Sequence, residues 1–195
     1  MAQAPDLTVT LCDHGFVSVR DRTPFVVSRP VPFGTHHPDG IFIMAGPGVR
    51  RFKIGDRVWG SNQGLLGRQG SLAEYVCAAE DWFYPTPAGV DDGQAAGVAL
   101  VGITAHLGLF RCARLQSGET AFVNGGTGGV GSMVVQMAKA IGARVITTVG
   151  SAAKAEMCRA WGADLVLNYK ADDVPAKVKE FTGAAGVNVW YDTQR

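Results

Sequence analysis

The sequence has no charge excess, no paired cysteines and no basic or acidic tract, and each absence removes a class of protein. Lysine and arginine number 18 against 17 aspartates and glutamates, a formal net charge of +1. That balance provides no field for nucleic acid or an anionic membrane surface. The four cysteines, Cys12, Cys77, Cys112 and Cys158, are scattered without a C-x-x-C pair. They form neither a disulfide framework nor a zinc ribbon, and they read as small hydrophobes in a reducing, cytoplasmic compartment. Read for unbroken apolar runs, no segment approaches the ~18 residues of a membrane span. The start, Met1-Ala2-Gln3-Ala4-Pro5-Asp6, lacks the basic and apolar regions of a secretory signal. There is no repeat and no low-complexity tract. What remains is a chain of 195 residues, 47% hydrophobic and 18% charged, the composition of a globular protein with one large domain or two small ones.

Glycine, by contrast, is abundant: 26 residues, roughly twice the usual share of about 7%. Chance glycine spacings are therefore common here, and context must decide which carry meaning. The run Asn124-Gly125-Gly126-Thr127-Gly128-Gly129-Val130-Gly131 has the right context. A strand-like run, Glu119–Val123, precedes it. Val130, Val134, Val135, Met137, Ala138 and Ile141 follow at helical spacing. Gly126, Gly128 and Gly131 thus fit G-x-G-x-x-G on a strand–turn–helix, the dinucleotide fingerprint. The first glycine allows the tight turn, the second lets backbone approach a pyrophosphate, and the third lets helix and strand pack. The helix then aims its unpaired N–H groups and positive dipole end at the phosphates. Gly126, Thr127, Gly128, Gly129, Val130 and Gly131 are the candidate cofactor residues of this loop. A glycine-rich turn without a ligand is the plainer alternative. A second strand, Ala143–Val149, completes a βαβ unit of about 30 residues, the expected size.

Along the chain, the first part reads as β. Leu7–Leu11, Phe16–Val19, Phe25–Val27 and Ile41–Ala45 are candidate strands among turns set by Pro24, Pro30, Pro32 and Pro38. The segment from Phe52 to Gly60 reads as a turn leading into a strand, Ser71–Val76 alternates, and Trp82–Pro85 ends the region. Two helices are predicted, Ala95–Leu100 and Ile103–Arg111. After Gly150 come a helix over Ser151–Trp161 with Ser151 as N-cap, a strand over Asp164–Asn168, a helix over Pro175–Phe181 and a strand over Val187–Tyr191. The expected fold class is α/β: a β domain over residues 1–88, then a doubly wound parallel sheet over 89–195.

Several segments together resemble one family. They are Gly48-Val49 with Phe52-Lys53-Ile54-Gly55-Asp56-Arg57-Val58; Gly70-Ser71-Leu72-Ala73-Glu74-Tyr75-Val76; Val101-Gly102-Ile103-Thr104-Ala105; the glycine loop; and Gly162-Ala163-Asp164 with Asn168-Tyr169. In this order and spacing they resemble the zinc-independent quinone oxidoreductases, the zeta-crystallin-like branch of the medium-chain dehydrogenase/reductase superfamily. The resemblance covers about residues 41–192. It implies a GroES-like β domain followed by a Rossmann domain, NADPH as reductant, and a substrate cleft between the two. Residues 1–40 lack the family's Asn- and Tyr-containing opening segment. The chain stops four residues after the fourth predicted parallel strand, so the expectation is a partial β domain, a Rossmann sheet truncated after four strands, and weak or no activity.

The residues themselves speak against zinc. Zinc-dependent relatives carry a cysteine-rich lobe and a Cys/His catalytic set, whereas Ser61–Gly70 contains neither residue type. His36-His37 is the only histidine pair, and neighbours on extended backbone point to opposite faces. No metal site is expected. For the cofactor, NAD enzymes hold the ribose 2′-OH with an acid about 20 residues past the loop. Here Gly150-Ser151-Ala152-Ala153-Lys154 follows the strand. With no carboxylate at that point, a 2′-phosphate meets no repulsion there. Ser151 can donate to it and Lys154 can add a charge-assisted bond. Tyr169 stands where the resemblance implies an aromatic or a histidine near the same phosphate. Alternatively, Lys154 is a solvated helix lysine and Tyr169 a packing aromatic. NADP(H) is the expected cofactor, bound by Gly150, Ser151, Lys154 and Tyr169 together with the loop.

No Ser/His/Asp or Cys/His arrangement is evident, and hydride transfer needs none, because the cofactor carries the reaction. Glu74 and Tyr75 read as structural. Thr104 is read as opening a helix, with either a nicotinamide contact or a cap as its role. The expected activity is NADPH-dependent reduction of a small-molecule quinone or activated 2-enone by a homodimer or homo-oligomer, with no nucleic-acid or membrane partner. An enoyl-thioester reductase and a non-catalytic NADPH-binding module are the alternatives. A short-chain dehydrogenase is disfavoured, because the β domain before the glycine loop has no place in that fold.

Overall fold

The computed structural model describes residues 8–11, 15–18, 25–28, 44–45, 49–53, 56–61 and 76–193. The chain divides into two compact units, Met1–Asp92 and Gly93–Arg195.

The first unit is built from short antiparallel strands. β1 (Thr8–Leu11) and β2 (Gly15–Ser18) form a hairpin. β3 (Phe25–Ser28) lies between β4 (Met44–Ala45) and β6 (Val76–Ala79). β5 (Val58–Gly60) pairs with β7 (Phe83–Pro85). The strand predicted at Ser71–Val76 shares only its last residue with β6; the rest, with Glu74, Tyr75, His36 and His37, lies outside the described residues. Phe52, Val58 and Phe83 close a small core, with Val49 packed against it.

Arg57, from the Gly55-Asp56-Arg57-Val58 motif, anchors the end of this unit. Its Nη2 donates to Asp92 Oδ1 at 2.6 Å and to the Val90 carbonyl at 2.7 Å. Its own carbonyl accepts from Thr86 N. The guanidinium is 42% exposed while Asp92 is only 14% exposed, so solvent screens the pair in part. Arg57→Ala is expected to cost about 1 kcal/mol, read as a fall of roughly 2–4 °C in thermal unfolding.

The second unit is a doubly wound α/β layer. Its strands are β8 (Thr120–Asn124), β9 (Arg144–Val149), β10 (Leu165–Asn168) and β11 (Val189–Asp192). They lie in the order β10-β9-β8-β11, all parallel. α2 (Gly129–Ala140), α3 (Ala152–Ala160) and α4 (Val174–Thr182) are the crossovers. β8 is buried on both faces, which is why it reads as a continuous apolar run. Ala121 and Val123 pack with Val134, Val135 and Ala138 of α2. Phe122 packs on the opposite face with Ile146 and Leu167, against Val174, Val178 and Phe181. Asp164, from the Gly162-Ala163-Asp164 motif, ties these layers together. It accepts from Val145 N at 2.6 Å and from Lys139 Nζ at 2.9 Å.

One sequence expectation fails here. The two helices predicted over Ala95–Arg111 are a single helix, α1 (Asp92–His106), which runs on into a π-helical segment, Leu107–Cys112. Gly102 does not break it. That residue faces α2, where an added Cβ would stand 3.8 Å from Met137 Cε. The joined stretch Asp92–Cys112 spans 21 residues and is long and apolar enough, by length and composition, to cross a membrane. The reading by unbroken apolar runs does not register it, because polar residues interrupt the stretch. Gln94, Thr104 and His106 interrupt the apolar run without adding formal charge. Ala105 and Leu109 are fully buried in the core with α2 and β8, while Val98, Leu100 and Leu107 are exposed.

Candidate functional site

The site grows from the end of β8. In the order β10-β9-β8-β11, the crossovers from β8 run to one side, through β9 and β10, and β11 lies on the other. β8 and β11 therefore flank the topological switch point, where open α/β sheets leave a crevice at the carboxyl ends of their strands. Asn124, the last residue of β8, opens the glycine loop there.

Gly125 has φ +84°, a left-handed conformation that glycine adopts without strain. The Gly128 amide closes the turn on the Gly125 carbonyl at 3.1 Å. A Cβ on Gly126 would collide with Thr147 Oγ1, and one on Gly131 with the Gly125 carbonyl oxygen. These two glycines are therefore required by close packing. Gly128 differs. It is exposed, and an added Cβ would come no nearer than 3.4 Å to the Gly125 oxygen. Packing within the protein does not demand glycine at that point, whereas close approach of a ligand to the backbone does. Gly128 is also the N-cap of α2, and no side chain caps the helix. The first amides of α2, from Gly129 onward, have no intrahelical acceptors. An uncapped helix start, a glycine open to the crevice and the positive dipole end together fit a diphosphate. Thr127 is half-buried beside them. Val130 is half-buried against the core, so its amide rather than its side chain faces this chemistry.

The second half of the site lies at the end of β9. Ser151 is the N-cap of α3, its Oγ accepting from Lys154 N at 3.4 Å. Its own hydroxyl proton stays available to donate. Tyr169 follows β10, its amide continuing the ladder to the Val149 carbonyl. An added Cβ on Gly150 would stand 2.6 Å from the Tyr169 hydroxyl, so the phenol lies across Gly150 with 58% of the residue exposed. Gly150, Ser151 and Tyr169 are thus brought together, and Lys154 is exposed on the first turn of α3.

Thr104 is placed differently from its sequence reading. It does not open a helix but lies near the end of α1, with Oγ1 donating to the Leu100 carbonyl at 2.9 Å. Its carbonyl accepts from the hydroxyl of Tyr191 on β11 at 3.1 Å. A Cβ on Gly108 would clash with that phenol ring. The carbonyl bonded by Tyr191 and the close ring lie where the helix changes from α to π hydrogen bonding. There Ala113 N donates back to Gly108 O, a local feature often seen at functional sites. Burial, and secondarily the nearby Cys112, pushes the Tyr191 phenol upward, which keeps it a donor. Burial likewise raises the Cys158 thiol.

The sequence reading missed Tyr191 and the polar ends of the strands, Asn124, Thr148 and Asp192. A glycine within an apolar helical pattern, Gly108, was the available signal for the first. Among the described residues, no group of three or more His, Cys, Asp or Glu could hold a metal ion.

Comparison with known proteins places this geometry. A family described as "Zinc-binding dehydrogenase" matches residues 129–194. Quinone oxidoreductase 1 of Escherichia coli K12 is 36% identical over 166 residues, covering 85% of this chain and 49% of that protein. The solved quinone oxidoreductase of Pseudomonas syringae superposes with a TM-score of 0.74 at 29% identity, over 91% of this chain and 61% of that one. The chain belongs to the quinone oxidoreductase branch of the medium-chain dehydrogenase/reductase superfamily. Another solved member, the Escherichia coli quinone oxidoreductase complexed with NADPH, has a TM-score of 0.68 at 28% identity, over 86% of this chain and 58% of that one. Part of a phthioceranic/hydroxyphthioceranic acid synthase of Mycobacterium tuberculosis is 31% identical over 77% of this chain and 7% of that enzyme. The chain spans about half the length of the curated quinone oxidoreductases it matches. The α/β Rossmann-like fold agrees with this membership.

Proposed function

We propose that the chain binds NADPH at the glycine loop of its second unit, and that the protein reduces a small-molecule quinone or activated 2-enone without zinc. One observation carries the reading: an uncapped α2 start behind Gly126, Gly128 and Gly131, at the switch point of the sheet. Bound NADPH supplies the hydride. The residues of this chain bind and orient. The amides at the start of α2 hold the diphosphate, and Gly128 lets it approach. Ser151, Lys154 and Tyr169 surround the 2′-phosphate beside Gly150, where no carboxylate stands. In this reading the protein is a cytoplasmic homodimer or homo-oligomer. Elemental analysis of purified protein is expected to find no zinc; about one equivalent per chain, retained after chelation, contradicts that expectation.

The similarity to part of the Mycobacterium tuberculosis synthase favours a second reading, reduction of an enoyl thioester. Oxidation of NADPH is followed with a simple quinone and, separately, with a short enoyl thioester. Turnover of the quinone in clear preference is the expected result. Preference for the thioester replaces the leading reading with the second. Binding of NADPH with neither substrate turned over leaves a binding module.

A further inference from the structure

We infer that Asn124 is a positioning residue for the dinucleotide loop, held by Asp192 and passing that hold through Thr148 to the Gly125 amide. The inference rests on the NADPH reading above. It concerns three strand ends that meet across the switch point: Asp192 of β11, Asn124 of β8 and Thr148 of β9. Asn124 Nδ2 donates to Asp192 Oδ1 at 3.0 Å. Thr148 Oγ1 donates to Asn124 Oδ1 at 2.7 Å. The Gly125 amide donates to Thr148 Oγ1 at 3.0 Å.

Chemistry fixes the direction of this chain. An ionised carboxylate only accepts, so the carboxamide of Asn124 must turn its NH2 toward Asp192 and its oxygen toward Thr148. The threonine proton then goes to that oxygen, and a hydroxyl lone pair is left for Gly125 N. Each group has one role, and reversing any of them leaves two acceptors or two donors face to face. Two further bonds tighten the same point. Thr193 Oγ1 donates to the Asn124 carbonyl, and the Gly126 amide donates to the Thr148 carbonyl at 3.1 Å. Thr148 therefore holds the first two amides of the loop, one by its hydroxyl and one by its carbonyl. The amides of Gly129, Val130 and Gly131, ahead of the first helical bond from Ser132 N to Gly128 O, are left for the ligand.

The test uses isosteric changes, so that packing is conserved and only hydrogen-bond polarity changes. Asn124→Asp sets two carboxylates against each other and is expected to weaken NADPH binding roughly tenfold. Asp192→Asn alone can offer its amide oxygen to Asn124 and should stay within about threefold of the parent. The double variant Asn124→Asp with Asp192→Asn exchanges donor and acceptor and should return to within about threefold of the parent. Thr148→Val should lose about tenfold, and Thr148→Ser should keep parental affinity. A role in packing alone predicts no difference between Asn124→Asp and the double variant. Parental affinity in Asn124→Asp, or a double variant no better than it, overturns the relay. Hydrogen exchange at the Gly125 amide gives a second readout that needs no cofactor. Exchange should speed up in Asn124→Asp and Thr148→Val and slow again in the double variant; unchanged exchange in all of them overturns the relay. If the parent does not bind NADPH, the cofactor reading fails, while the exchange data still decide the relay.

Discussion

Gly131→Ala is expected to remove most NADPH binding and to lower the stability of the second unit. An added Cβ there collides with the Gly125 carbonyl oxygen. That atom belongs to backbone, which cannot swing aside as a side chain can. Overpacking of this kind costs about 1–3 kcal/mol, and relief requires the loop and the start of α2 to separate. Since those elements form the diphosphate cradle proposed above, binding should fall roughly 10- to 100-fold with stability. Gly128→Ala is the informative partner. Its Cβ has room, 3.4 Å from the nearest protein atom, so thermal unfolding should stay near the parent value. The methyl group nevertheless stands where the diphosphate must approach, so affinity should still fall. Unfolding curves and NADPH titrations of both variants check this. Equal loss of stability in the two, or unchanged binding in Gly128→Ala, contradicts the assignment of the loop.

Gly150→Asp should reverse the choice of nucleotide. The substitution restores a carboxylate at the end of β9, where NAD enzymes hold the ribose 2′-OH. A Cβ at Gly150 would meet the Tyr169 hydroxyl at 2.6 Å. That hydroxyl is the far end of an exposed side chain and can move aside, so the variant should fold. The new charge would repel a 2′-phosphate and also displace Tyr169 from it. Loss of one charge-assisted contact costs about 1.5–3 kcal/mol, so NADPH affinity should fall by roughly 10- to 100-fold while NADH affinity holds or rises. Titration of the variant with both nucleotides reads the change. An unaltered preference for NADPH means that the 2′-phosphate is held elsewhere.

The elements whose apolar residues are buried by their immediate neighbours were legible in the sequence. β8 and β9 read as continuous runs because both faces are covered, α2 follows the helical pattern because one side packs on them, and Gly126, Gly128 and Gly131 stand on the strand–turn–helix between. Ser151 was identifiable as an N-cap from its type and position alone, and its Oγ takes that role. The readings that failed depended on partners distant in sequence. The break left at Gly102 between two predicted helices is absent, and Gly108, within the second of them, marks a contact that the pattern did not show. Gly102 faces Met137 across to α2, and Gly108 makes room for Tyr191 some eighty residues later. Asn124, Thr148 and Asp192 carried no signal, because short polar residues at strand ends usually mark turns. Only the strand order, with β8 between β9 and β11, brings them together. The helix position of Thr104 was misread for the same reason: it lies near the end of α1, where its carbonyl accepts from Tyr191.

Calorimetric titration of the unmodified protein with NADPH and with NADH tests the central claim most directly. The account predicts that NADPH binds at least about tenfold more tightly, because Ser151, Lys154 and Tyr169 surround the 2′-phosphate and no carboxylate opposes it. Lys154→Ala, titrated alongside, should lose about 1.5–3 kcal/mol toward NADPH and little toward NADH. Equal affinity for the two nucleotides, or a Lys154→Ala variant that binds NADPH as the parent does, would contradict it.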